Sequence, residues 1–112
     1  LRDRNMLDDV TVVVWGEFGR TPKINSKGGR DHWSSVMSVL LAGGGMNNGQ
    51  VVGSSDRHGG EPAERPVRLG EVFSTLYHNC GIDSTTLQFN DLTGRPQYIV
   101  DPSCTPIREL VG

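Results

Sequence analysis

Two apolar runs dominate the first half of the chain, and both predict strands. Residues 10–15, V-T-V-V-V-W, are β-branched and almost entirely apolar, which is typical of a strand buried on both faces. Residues 36–42 form the second run, whose bulky positions show no clean alternation. We interpret it as a second buried strand, with a short helix as the alternative.

One helix is predicted over residues 68–80. Its apolar positions recur at spacings of three and four, which places them on one stripe that docks on a sheet. The stripe consists of Leu69, Val72, Phe73, Leu76, Tyr77 and Cys80. The outer face is expected to carry Arg68, Glu71, Thr75, His78 and Asn79.

The remaining segments predict turns, loops and short strands. Residues 43–45 are three glycines, which indicate a turn, because the Lys-Ser/Thr ending of a phosphate loop is lacking. Residues 50–52 predict a short strand paired with the preceding one, and residues 97–100 predict an edge strand. Residues 53–66 are polar and rich in Gly and Pro, which indicates an exposed loop.

This order of elements predicts an α/β layered fold, with a mixed sheet and a packed helix. A length of 112 residues allows one domain. The chain opens without Met on Leu1-Arg2-Asp3-Arg4, which is typical of the end of a helix already under way. We therefore expect residues 1–112 to be a single partial domain of a longer protein.

The loop over residues 15–33 concentrates the candidate chemistry. It follows the carboxyl end of the first predicted strand, which is where open α/β sheets bind ligands. It contains a carboxylate at Glu17, the pair Asp31-His32, and four cations, namely Arg20, Lys23, Lys27 and Arg30. The other segments are expected to support this loop.

Glu17, Asp31 and His32 are the candidate metal ligands. A carboxylate just after a buried strand can ligate a divalent ion or act as a general base. A neutral imidazole is the commonest metal ligand, and Asp31 could orient His32 or ligate the ion itself. The alternative is structural, with Glu17 paired to Arg20 and His32 hydrogen-bonded within the loop.

Arg20 is the strongest candidate for binding an anion. A guanidinium binds phosphate or sulfate through two hydrogen bonds, and the flanking Gly19 and Thr21-Pro22 restrain the backbone beside it. The alternative is a solvated cation balanced by nearby acids. Asp56 and His58 form a second polar cluster that could reach the same pocket or could simply form a turn.

Charge and cysteine content narrow the possible partners. The formal net charge of −2 gives no overall attraction to nucleic acid or to an anionic membrane surface, and no apolar run is long enough for a membrane span. Cys80 and Cys104 are too few for a disulfide framework. They could form one bridge or remain two thiols.

Several strings in the chain resemble one family. The segment L-D-D-V-T-V-V-V-W-G-E-F-G-R-T-P-K-I-N, together with G-R-D-H-W, L-A-G-G-G, G-R-P-Q-Y-I-V and P-I-R-E-L, is similar to the C-terminal part of domain-of-unknown-function family 1501. The resemblance covers almost the whole chain. It implies a bacterial, exported protein, periplasmic or secreted, and a place in the alkaline phosphatase and sulfatase superfamily.

The resemblance also implies roles for individual residues. Glu17 stands where the superfamily has a metal-binding Asp, and His32 is similar to its later metal-binding His. Phe18 stands where the paired His would be, and a phenyl ring cannot ligate a metal. The nucleophile and the other ligands would come from preceding segments, so we expect residues 1–112 alone to lack phosphatase and sulfatase activity.

Three functional hypotheses follow. The first is part of an alkaline-phosphatase-like, metal-dependent hydrolase of phosphate or sulfate esters, with a divalent ion on Glu17, His32 and Asp31 and with Arg20 on the substrate. The second is an inactive superfamily member that binds an anionic ligand, such as a sulfated polysaccharide, or a partner protein. The third is a purely structural loop.

Overall fold

The computed structural model describes residues 1–112 and shows a small α/β chain. The expected class, with short strands and one packed helix, is confirmed. In chain order the elements are a 3-10 helix Arg2–Arg4, β1 Thr11–Val14, β2 Gly19–Arg20, β3 His32–Trp33, β4 Leu40–Gly43, β5 Ser54–Ser55, β6 Pro62–Glu64, α1 Leu69–Asn79, β7 Gln88–Asn90, β8 Pro96–Tyr98 and α2 Arg108–Val111.

The strands form four two-stranded pairs, which are β1 with β4, β2 with β3, β5 with β6, and β7 with β8. The chain divides into two compact units. The first contains Leu1–Thr11, Gly43–Gln50 and Val67–Gly112, and the second contains Val12–Ala42 and Val51–Pro66. No helix in the structure combines the length and the apolar character needed to cross a membrane.

The first unit is built around α1, as the periodicity predicts. Its buried apolar side chains are Met46, Val72, Val100, Cys104 and Ile107. Gly70 lies against Cys104, where a Cβ would come within 2.5 Å of the sulfur. A side chain at position 70 would therefore separate the helix from the C-terminal segment. The cysteines are both free, Cys104 buried and Cys80 exposed.

The predicted faces of α1 are partly wrong. Thr75, expected on the outer face, is completely buried, and Cys80, expected on the buried stripe, is exposed. The Thr75 hydroxyl donates to the Glu71 carbonyl at 2.7 Å and accepts from the Ile107 amide at 2.9 Å. Because both hydrogen bonds are made inside the protein, a polar side chain can be buried there at little cost.

The β7–β8 hairpin closes through Asp91. Its Oδ1 accepts from the Thr93 hydroxyl at 2.7 Å, the Thr93 amide at 2.8 Å and the Arg95 amide at 3.0 Å. The strands pair in an antiparallel register with Phe89 opposite Gln97. An Asp side chain that satisfies the turn amides in this way is a typical Asx turn.

We expect this hairpin to lose stability in acid. Hydrogen bonds from the Thr93 hydroxyl, then the Arg95 amide, lower the pKa of Asp91 from 3.8 to about 2. The ionised carboxylate therefore stabilises the folded hairpin above pH 3.8, and this contribution disappears as the pH falls toward about 2. NMR amide shifts of Thr93 and Arg95 should follow that titration in the wild type and stay flat in Asp91→Asn. A titration midpoint at the ordinary carboxyl value would contradict this.

The predicted first strand, most of which belongs to the second unit, is shorter and more exposed than expected. β1 covers Thr11–Val14 rather than residues 10–15, and its burial alternates, with Val14 59% exposed. The expectation of burial on both faces is therefore wrong for this structure. The second run forms a strand only at its end, in β4, so the helix alternative is wrong and the strand interpretation is correct for residues 40–42 alone. The expected burial is not found, since Leu40 is 57% exposed.

Two further loop and strand assignments change. Residues 50–52 form no strand, and the predicted exposed loop 53–66 instead contains the antiparallel pair of β5 and β6. The register there shifts between Ser54 and Ser55, which indicates a bulge. The sequence of this segment, with its alternating charges and prolines, shows no strand pattern, because the two strands contain only two and three residues.

Candidate functional site

A short antiparallel ladder of β2 and β3 lies within the loop over residues 15–33. β2 pairs with β3 so that Gly19 lies opposite Trp33 and Arg20 lies opposite His32. Directly opposed residues project from the same face of a ladder. The guanidinium of Arg20 and the imidazole of His32 are therefore neighbours, although they are twelve positions apart in the sequence.

Glu17 joins the two basic side chains. Its Oε1 lies 3.6 Å from Nη2 of Arg20 and 3.2 Å from Nε2 of His32. The three side chains are at least half exposed, at 62% for Glu17, 50% for Arg20 and 58% for His32. Exposed ion pairs contribute little to folding stability, so this cluster is available for chemistry rather than needed for the fold.

The electrostatics keep the Glu17 carboxylate ionised. A hydrogen bond from its own backbone amide is the main cause that lowers the pKa of Glu17, and the nearby Arg20 and His32 lower it further. An ionised carboxylate is the form that binds a metal ion or a cation. Near neutral pH the loop therefore presents one anionic oxygen beside an imidazole nitrogen and a guanidinium.

The ring of Phe18 lies beside the ring of His32. Its ring centroid lies 5.3 Å from that of His32, with the planes inclined at 34°. This is within the usual range for paired rings. Sequence reasoning considered Phe18 only as a residue unable to ligate, and no motif in the chain signals its contact with His32.

Asp31 and Arg30 hold the tip of the loop. Oδ1 of Asp31 accepts from Nδ2 of Asn25 at 2.9 Å, and Nη1 of Arg30 donates to the carbonyls of Thr21 and Pro22 at 2.7 and 2.5 Å. The structure therefore brings Glu17, Arg20 and His32 together but gives Asp31 a different partner. The role of Asn25 was not predicted, although an Asn near paired glycines is a turn signal.

The second polar cluster supports the same ladder. Oδ1 of Asp56 accepts from the Gly60 amide at 2.8 Å and from the His58 amide at 3.1 Å, so Asp56 forms a turn. The Gly60 carbonyl accepts from Nε1 of Trp33 at 2.6 Å. The Asp56 turn is thus anchored to β3 beside His32.

The fit of a divalent metal can be tested on the donor atoms. Two ligand atoms on one tetrahedral ion, each about 2.0–2.1 Å from it, are about 3.3 Å apart. The 3.2 Å between Oε1 of Glu17 and Nε2 of His32 matches this spacing. Residues 1–112 contain no group of three or more His, Cys, Asp or Glu donors that could hold a metal ion. Protein metal sites commonly use three or four.

A family model described as "Protein of unknown function (DUF1501)" matches residues 1–111. No curated protein and no solved structure matches the chain.

Proposed function

The chain belongs to the DUF1501 family, and we propose that it contributes part of a metal-dependent centre that hydrolyses phosphate or sulfate esters. The observation that supports this is the 3.2 Å approach of Glu17 Oε1 to His32 Nε2, with Arg20 opposite His32 on the ladder. A carboxylate, an imidazole and a guanidinium at one exposed surface are the groups this chemistry uses.

Each residue has a defined role in the proposal. Glu17 and His32 would hold a divalent ion, and such an ion would polarise the ester and lower the pKa of a bound water. Arg20 binds the anionic group of the substrate through its guanidinium and stabilises charge as it develops. Since Arg20 lies beside both ligands, the substrate anion and the ion would be held next to each other.

The proposed centre also involves Asp31 and residues outside this chain. Asp31 is the proposed additional ligand: its Oδ1 accepts from Nδ2 of Asn25 at the loop tip, which leaves its Oδ2 for an ion. The further ligands and the nucleophile would come from residues outside this chain, within an alkaline-phosphatase-like fold. A small or polysaccharide ester in the periplasm or outside the cell would be the substrate.

Removing either ligand should deplete the metal. In the full-length protein, Glu17→Ala and His32→Ala should each weaken divalent metal binding by more than about 10²-fold, since even partners behind the ligands are worth 10- to 100-fold. Elemental analysis of the purified variants measures the metal content, and titration with Zn²⁺ and Mn²⁺ measures affinity.

Matched variants separate ligand loss from general damage. His58→Ala removes an imidazole in the same unit, from the Asp56 turn, and should leave the metal content at the wild-type level. Asp31→Asn tests the additional ligand and should change affinity less than threefold if Asp31 only holds the loop tip. Full metal content in both Glu17→Ala and His32→Ala would sink the assignment.

A second candidate function is the binding of an anion without catalysis. It is favoured by the lack of a group of three or more metal donors in residues 1–112, and by a carboxylate that already lies between Arg20 and His32. Under this function Glu17 stands where a ligand anion would bind. Sulfate binding should then persist in EDTA and become tighter in Glu17→Gln, whereas the metal function predicts that Glu17→Gln weakens metal binding.

A further inference from the structure

Asn48 and Gly49 lie next to each other in an exposed bend of the first unit. The backbone amide of Gly49 donates no hydrogen bond within residues 1–112, so its nitrogen is available to react. Glycine also has no Cβ, so nothing on residue 49 shields the Asn side chain that precedes it. The amide nitrogen of Gly49 can therefore attack the side-chain carbon Cγ of Asn48.

The fold also prepares the side chain of Asn48 for this attack. Its Oδ1 accepts from the backbone amide of Gly43 at 3.2 Å, and its Nδ2 donates to the Met46 carbonyl at 2.7 Å. When a nucleophile adds to Cγ, negative charge develops on Oδ1, and an N–H that already points at this oxygen stabilises the charge. Gly43 is buried, so water competes little for its amide.

We propose that Asn48 is a modification site at which the folded protein converts its own side chain to aspartate or isoaspartate. The Gly49 amide loses its proton, its nitrogen bonds to Cγ of Asn48, and the bond from Cγ to Nδ2 breaks. Nδ2 leaves with that proton as ammonia, and a succinimide ring remains. Water then opens the ring at either of its two carbonyls. The reaction needs no metal ion and no part of the proposed hydrolytic centre.

The modified residue lies in the bend that holds the C-terminal helix α2. The Asn47 amide donates to the Leu110 carbonyl at 2.8 Å, and Nε2 of Gln50 donates to the Glu109 carbonyl at 2.6 Å. A carboxylate at position 48 has no proton to donate to the Met46 carbonyl and places negative charge beside it. Isoaspartate also lengthens the main chain by one carbon. Both products should therefore loosen the attachment of α2.

Peptide mapping by mass spectrometry, on full-length protein kept folded at mildly alkaline pH, measures the reaction. Asn48 should be converted about tenfold faster than Asn25, which corresponds to about 1.4 kcal/mol in activation free energy. Asn25 is a matched control, because its Oδ1 also accepts from two backbone amides but Ser26 follows it. Equal conversion at the two positions, or products without isoaspartate at position 48, would overturn the proposal.

Two further comparisons separate the roles of Gly49 and of the fold. Gly49→Ala should lower the conversion of Asn48 to the level of Asn25, and a Cβ at position 49 meets no atom within 4 Å. In urea, which removes the hydrogen bond from Gly43, wild-type Asn48 should react no faster than in the folded protein. A faster reaction in urea would show that the fold protects Asn48, and it would overturn the proposal.

Asn48→Asp supplies one product directly and tests its effect on α2. In hydrogen exchange of the full-length protein, the amide of residue 47 should exchange about tenfold faster than in the wild type. Asn47→Asp is the control, because it adds the same charge at a side chain that makes no hydrogen bond, and it should leave the exchange unchanged. Wild-type exchange in Asn48→Asp would overturn the effect on α2.

Discussion

Under the proposed hydrolase function, replacing Arg20 by alanine in the full-length protein should lower turnover of an aryl phosphate or aryl sulfate by about 10²- to 10³-fold. That is the usual cost of removing one charged or polar group that stabilises developing negative charge. The expectation follows from position, because Arg20 lies opposite His32 and its Nη2 is 3.6 Å from Glu17. Metal content should change little, because a guanidinium donates hydrogen bonds and does not ligate cations.

Steady-state kinetics with matched variants checks this result. Lys27→Ala removes another cation of the same loop, whose contact with Asn25 runs through the backbone amide and survives the change. It should leave turnover within about twofold of the wild type, since surface changes of this kind have small effects. Equal losses in the two variants would show a general effect of loop charge instead of a specific role for Arg20.

A side chain at Gly19 should disrupt the ladder. A Cβ there would overlap the backbone carbonyl of Val36 and come within 3.0 Å of the Trp33 carbonyl. Overpacking costs about 1–3 kcal/mol, and the upper end is expected because backbone, unlike a flexible side chain, cannot turn aside. Gly19→Ala should therefore lower the free energy of unfolding by about 3 kcal/mol. Under the proposed metal function it should also reduce bound metal, since Arg20 and His32 lose their register.

Gly16→Ala is the control for this substitution. The nearest atom to a Cβ at position 16 is the Phe18 carbonyl oxygen at 3.8 Å, an ordinary contact. Urea unfolding of the two variants, followed by circular dichroism, should show a lower midpoint for Gly19→Ala and a small change for Gly16→Ala. Wild-type stability in Gly19→Ala would mean that the approach of Val36 to β2 is not required.

The sequence predicts the helix well because its signal is local. Apolar residues at spacings of three and four mark α1 to within one residue at each end. The same signal misplaces Thr75, because its partner Ile107 is 32 residues away and no periodic pattern records that hydrogen bond. A polar residue is assigned to solvent by default, and only a distant donor makes its burial favourable.

The contacts within the candidate site can be predicted only in part from the sequence, for a similar reason. Glu17, Arg20 and His32 stand out by residue type, and their loop follows a predicted strand that is present in the structure as β1. Their approach depends on a ladder of two residues per strand, which is too short to leave a pattern of alternation. Asp31 and Arg30 also stand out by residue type. In the structure, however, Asp31 is hydrogen-bonded to Asn25, and Arg30 is hydrogen-bonded to the carbonyls of Thr21 and Pro22.

The hydrogen bond from Trp33 to Gly60 makes the loop observable by optical spectroscopy. The chain has two tryptophans, and the Trp33 indole donates its Nε1 proton at 2.6 Å to a backbone carbonyl. Indole emission responds to that bond and to the polarity around the ring. Since Trp33 is next to His32, a ligand that shifts β3 changes the fluorescence of Trp33, so its binding can be followed without an added label.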